Sequence, residues 1–115
     1  MNMNIDIFTI AKRVLATTGC GLDSVENIRL NREYRSVSLE TDDGFLIVCW
    51  NYFHPEQCTD IFNLDDRKEI VRKYHMRGFA QTKIACMLDI SQGTVSRLIK
   101  EVKNEQGSSD KKGRS

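Results

Sequence analysis

Along the first half of the chain the apolar positions change period. Asn4 is placed to cap a helix from Ile5 to about Thr17 whose inner face carries Ile7, Phe8, Ala11, Val14 and Leu15, with Gly19 ending it. After Gly21 the pattern becomes extended. Val25–Leu30 reads as a strand, and Tyr34–Thr41 alternates, with Val37 and Leu39 on one side and Ser36, Ser38 and Glu40 on the other. Asp42-Asp43-Gly44 is a hairpin signal, because glycine accepts the positive φ of a tight turn. The chain returns as Phe45–Phe53, apolar on both faces: Phe45, Ile47 and Cys49 on one, Leu46, Val48, Trp50 and Tyr52 on the other. A strand apolar on both sides needs cover on both sides. The first helix supplies one cover. The other is either a dimer interface including Val48, Trp50 and Tyr52 or packing within one chain. His54-Pro55 ends the sheet, and residues 54–64 read as the connection between halves.

The second half is helical. Asn63 or Asp65 caps a helix to Arg77 with core face Leu64, Ile70, Val71 and Tyr74. Its acids (Asp65, Asp66, Glu69) lie near its start and its cations (Lys73, Arg77) near its end, the order that suits the helix dipole. Gly78 stops it and Phe79 plugs the corner. Gln81–Leu88 follows with Ile84, Ala85 and Leu88 inward, then a break at Asp89-Ile90-Ser91. Ser91 is a good N-cap for a helix from Gln92 to about Val102, in which Val95, Leu98, Ile99 and Val102 share a buried face. The opposite face carries Gln92, Gly93, Ser96, Arg97 and Lys100. The expected fold class is therefore α+β: an N-terminal helix plus a small antiparallel β-sheet, followed by a C-terminal three-helix helix-turn-helix unit.

That polar face has the chemistry for a major groove. Ser91, Gln92 and Ser96 can donate to and accept from base edges, Arg97 can reach guanine or a phosphate, and Lys100 a phosphate further along. Gly93 costs about 1 kcal/mol of helix propensity relative to alanine and removes the side chain that would hold the helix off DNA. A polar helix face alone is ordinarily a solvated face. Here the small residue, the turn and the buried valine occur together at fixed spacing.

The runs Gln81-Thr82-Lys83-Ile84-Ala85 and Ser91-Gln92-Gly93-Thr94-Val95-Ser96-Arg97 resemble the helix-turn-helix of phage Cro-type repressors. They also resemble plasmid TrfB-type and fimbrial PapB-type regulators and the N-terminal heads of SorC-type regulators. The resemblance covers residues 67–102 and none of the first sixty. It implies an operator-binding regulator, usually a dimer, with the second helix in the major groove. By position it implies that Gln81 and Thr82 hold a phosphate, and that Ser91, Gln92, Gly93, Ser96 and Arg97 face bases or backbone. Lys83 and Thr94, inside the same runs, complete the candidate DNA-binding set. Two positions depart from the pattern. Asp89 stands where glycine is usual and so has to adopt a left-handed conformation; Ala80 stands where a Ser or Thr cap is common.

Charge sharpens this division. The net charge of +1 conceals an acidic front and a basic back. Residues 1–62 hold five Lys and Arg against nine acids, and residues 63–115 hold twelve against seven. The basic half is drawn to phosphates. The four cysteines, Cys20, Cys49, Cys58 and Cys86, form no CxxC pair and read as reduced thiols. A zinc site of Cys49, His54 and Cys58 with Cys20 has a spacing unlike the usual ribbons and knuckles. No metal or cofactor is expected, and no nucleophilic site with an orienting third member is recognisable. No apolar run approaches the roughly 20 residues of a membrane span, and the start lacks a signal-peptide pattern, so a cytoplasmic location is expected.

The expected organisation is a small α+β domain over 1–62 for dimerisation or partner binding, a DNA-binding domain over 63–103, and a disordered tail over 104–115. The expected function is sequence-specific binding of double-stranded DNA by a homodimeric transcriptional regulator, a repressor on an inverted-repeat operator, and not an enzyme. The alternative is an antitoxin or phage-type inhibitor whose residues 1–62 bind a protein target while the helix-turn-helix regulates its own operon. An accessory to a recombinase or transposase is a third class, weakened by a front half too short for those catalytic folds.

Overall fold

The computed structural model of the chain describes residues 6–114, with side chains through Glu105. Two compact units divide it, Met1–Asp65 and Asp66–Ser115.

The first unit opens with α1 (Ile7–Ala16). The expected cap Asn4 and first residue Ile5 lie outside the described residues. Gly19, at φ +78°, ends the helix, its N–H donating to the Leu15 carbonyl at 3.0 Å. A short 3-10 turn, Leu22–Ser24, leads into a four-stranded antiparallel meander: β1 (Val25–Asn31), β2 (Ser36–Thr41), β3 (Phe45–Cys49) and β4 (Thr59–Asn63), in that spatial order. The β2–β3 turn is the expected Asp42-Asp43-Gly44, with Gly44 at φ +88°. Thr41 locks it, its hydroxyl donating to Asp43 Oδ1 at 2.6 Å and accepting the Phe45 N–H at 3.0 Å.

The register puts Ile28, Leu39, Ile47 and Ile61 in one row and Leu30, Val37, Cys49 and Thr59 in the next. Ile10, Ala11, Val14 and Leu15 of α1 pack with Val37, Leu39, Ile47 and Cys49 of these rows to make the core. This burial of apolar side chains is the main source of the unit's stability.

Several expectations are corrected here. Phe8 is 54% exposed, and Ile10 takes the inner position assigned to it. β3 ends at Cys49 rather than Phe53. The chain turns at Trp50, so the period-2 count no longer applies, and Tyr52 joins the core of Ile47 and Cys49 instead of the opposite face. Val48 and Tyr52 are buried and Trp50 half-buried, so all three residues expected at a dimer interface are wholly or partly withdrawn from solvent within one chain. Ser36 and Ser38 are buried, not solvated. Ser38 pairs with Val48, and the face that carries Val48 and Leu46 is itself excluded from water. The supposed connection over 54–64 contains a four-residue helix, α2 (Pro55–Cys58), and the strand β4. Proline suits the first position of α2, where no N–H partner is lost.

The second unit holds three helices: α3 (Arg67–Met76), α4 (Gln81–Leu88) and α5 (Gln92–Arg114). Asp66 precedes α3 as its N-cap residue, one or three positions later than expected. Ile70, Val71 and Tyr74 are buried with Ile84, Ala85, Met87, Leu88, Val95, Ile99 and Val102. α5 continues past the end expected near Val102; the tail expected over 104–115 falls mostly on side chains outside the described residues. No helix is long and apolar enough to cross a membrane among the described residues.

Candidate nucleic-acid interface

The turn between α4 and α5 is built from three residues with separate tasks. Asp89 takes the left-handed conformation its position requires, φ 54° and ψ 48°. The Asp89 N–H caps onto the Ala85 carbonyl, and the Ile90 N–H donates to the same oxygen at 3.1 Å. These bonds satisfy the end of α4 and turn the chain sharply. Ser91 then caps α5: its Oγ accepts the Thr94 N–H at 3.0 Å and lies 2.8 Å from Thr94 Oγ1, while its carbonyl accepts the Val95 N–H at 3.1 Å. Both hydroxyls are thereby engaged inside the turn. The start of α4 has no equivalent, since Ala80 makes no side-chain cap bond.

Beyond the turn α5 divides by face. Val95, Ile99 and Val102 are buried and Leu98 half-buried. Gln92, Gly93, Arg97 and Lys100 are exposed, and Thr94 and Ser96 are partly so. On α4 Thr82 is exposed, and Gln81 and Lys83 are half-buried. None of the ten candidate DNA-binding residues is turned into the core. Among the described residues Gln92, Ser96 and Lys100 make no side-chain hydrogen bond or ion pair.

Gly93 is informative because the fold does not need it. A Cβ built there would meet only Ser91 Oγ, at 3.8 Å, an ordinary contact. Its φ is not in the left-handed region that favours glycine. The helix gives up propensity at this point with no packing or backbone reason among the described residues.

Some cations of this unit are held by carboxylates. Lys68 Nζ donates to Glu105 Oε1 at 2.7 Å, which raises the lysine pKa, and Glu69 is paired through both oxygens with Arg72, which lowers the carboxyl pKa. Those charges are neutralised locally. Lys83 and Lys100 have no carboxylate partner among the described residues, and Arg97 has only a long contact, 3.9 Å to Glu101. Sequence reading did not anticipate Glu101 as the partner of Arg97, although the i,i+4 spacing is the available signal.

Cys49 and Cys58 are buried, Cys20 is exposed, and no group of three or more potential ligands gathers among the described residues. Burial pushes the Cys49 thiol pKa up, against weaker lowering by the Thr59 hydroxyl. Compared with protein-family models, curated proteins and solved structures, the chain matches none of them.

Proposed function

We propose that this chain is a sequence-specific DNA-binding transcriptional regulator that lays the outer face of α5 in the major groove. The observation that carries the reading is Gly93, a helix-weakening residue where a Cβ would make only an ordinary contact with Ser91 Oγ, set among exposed Gln92, Arg97 and Lys100. A backbone stripped of its side chain on a polar, cationic face favours close approach of an anionic partner. Gln92 and Ser96 are the base-edge readers, Arg97 reads guanine or a phosphate, and Lys100 holds the backbone. Ser91 and Thr94 act mainly by fixing the start of the helix. One such unit reads only a few base pairs, so two copies act on an inverted repeat with half-sites about 34 Å apart. No activating surface is identified, and repression by occupancy needs none.

Selection of bound duplexes from random DNA tests the proposal, the expected product being an inverted repeat. Replacing Arg97 by Ala then costs about 1–3 kcal/mol of binding with relaxed choice at one base pair if the guanidinium is bidentate to guanine. An equal loss on all duplexes makes it a phosphate contact instead. Failure of the whole chain to enrich any sequence rejects the reading.

A further inference from the structure

A cavity of about 330 Å³ opens in the sheet unit between α1 and β1. Its walls are largely apolar: Ile7 and Phe8 of α1, Leu22 of the 3-10 turn, and Val25 and Ile28 of β1. Leu22, Val25 and Ile28 are packed against the buried core of α1 and the sheet, which fixes that wall in place. Phe8 is mostly exposed, so its ring is not consumed by the core.

The polar part of the wall is a carboxylate and a carboxamide. Val25 pairs with Thr41 and Asn27 with Glu40, so Glu26 is the extra residue of a bulge in β1. A bulge leaves its extra residue outside the ladder and re-aims its side chain. Glu26 lines the cavity and makes no side-chain hydrogen bond or ion pair among the described residues. Asn27, the other polar residue of the wall, donates from Nδ2 to Glu40 Oε2 at 3.2 Å, which turns its nitrogen end to that partner. A carboxylate only accepts hydrogen bonds. The cavity therefore sets one negative charge beside an apolar chamber, in a half of the chain with five Lys and Arg against nine acids. An ammonium group on an apolar body complements both features, whereas an anion is repelled. Sites for small molecules span about 300–1,000 Å³, and this one lies at the lower end of that range.

We propose that this cavity binds a small organic amine, its apolar body against Phe8, Leu22, Val25 and Ile28 and its ammonium on the Glu26 carboxylate. The site lies wholly in the sheet unit and goes beyond the DNA-binding reading, which neither supports nor requires it. It gives residues 1–62 a ligand-binding role besides the dimerisation or partner binding expected of them.

The test titrates the full chain at neutral pH with phenethylamine, a cation there, and with its near-isosteres phenethyl alcohol and phenylacetate, one neutral and one anionic. Methyl and backbone NMR signals report where each binds. The amine is expected to shift the methyl signals of Ile7, Leu22, Val25 and Ile28 at millimolar concentration. It binds about three- to tenfold more tightly than the alcohol, and phenylacetate binds weakest. Glu26→Gln removes the preference for amine over alcohol and leaves alcohol binding unchanged. Phe8→Ala weakens amine and alcohol alike. Both changes fall on exposed side chains, so the fold is retained. Absence of shifts at those four residues, a preference that survives Glu26→Gln, or binding undiminished by Phe8→Ala overturns the site. So does an amine that binds no better than either isostere. The bulge is then only a guard against edge-to-edge pairing of β1, an outer strand of the sheet. Every outcome leaves the α5 reading as it was, since no duplex takes part.

Discussion

The two units spend their polar side chains differently. In the sheet unit the polar groups that make contacts serve the fold. Thr41 fastens a hairpin, Asn31 Oδ1 accepts the Tyr34 N–H at 2.9 Å in the next turn, and the Thr59 hydroxyl donates to the Pro55 carbonyl at 2.6 Å at the end of α2. Asn27 and Arg29 meet Glu40 across neighbouring strands. In the helical unit Ser91 and Thr94 have the same kind of task, but among the described residues Gln92, Ser96 and Lys100 make no side-chain hydrogen bond or ion pair. Side chains that the fold does not use are the ones available to a partner.

The largest effects come from the interiors. Leu39 and Ile84 are fully buried, one in each unit, so Leu39→Ala and Ile84→Ala each cost about 2–5 kcal/mol in a urea melt followed by circular dichroism. Gln92→Ala and Lys100→Ala stay within about 0.5 kcal/mol of the parent. A core-sized cost at either polar position would mean that the fold does employ that face, and the contrast between the units would collapse.

Gly93→Ala separates folding from binding by sign. The added methyl meets nothing closer than 3.8 Å, so the backbone is restricted without strain and stability rises by about 0.4–1 kcal/mol. The same methyl stands between α5 and a duplex, so affinity for the selected site falls. Stability and affinity rising together would remove the argument from close approach.

The cysteines divide in a parallel way. Cys20 and Cys86 are exposed, one in each unit, while Cys49 and Cys58 are buried. A thiol-specific reagent at neutral pH is expected to label the first pair quickly and the second slowly, since burial keeps Cys49 protonated. A saturating duplex slows labelling of Cys86, four residues beyond Thr82 on α4, and leaves Cys20 at its free rate. Protection of Cys20 alone would move the nucleic-acid surface to the sheet unit.

How much of this was legible depends on how local the determinants are. The limits of α4, the left-handed Asp89 and the Ser91 cap follow from residue types acting over three or four positions, and the chain alone predicts them. The sheet unit was harder for tertiary reasons. β4 hides because Ile61 and Phe62 are adjacent apolar residues rather than an alternating pair, and because a proline stands four residues ahead. Tyr52 was assigned to the wrong face because one bend after Cys49 ends the strand's parity. Ser36 and Ser38 alternate correctly, yet alternation does not say which face meets water. The ten candidate positions were readable as a pattern, whereas the cavity between α1 and β1 was not. Nothing in the spacing of Phe8, Leu22 and Glu26 announces that the fold brings them to one wall.

The smallest expected effect concerns Glu101, the carboxylate beside Arg97 on α5. Glu101 lies 3.9 Å from Arg97, with the two side chains 44% and 67% exposed. An exposed i,i+4 pair contributes about 0.3–0.5 kcal/mol to a helix, and the order here, cation before acid, is the weaker one. Glu101→Gln therefore alters stability by less than about 0.5 kcal/mol. In binding, the substitution removes a negative charge near the path of the phosphates and releases the Arg97 guanidinium from a competing partner. Affinity rises by less than about 1 kcal/mol, most clearly at low salt, where screening is least. A fall in affinity would give Glu101 the opposite role, that of holding Arg97 in its reading position, and Arg97→Ala would then have to be reinterpreted as the loss of a pair rather than of a single contact.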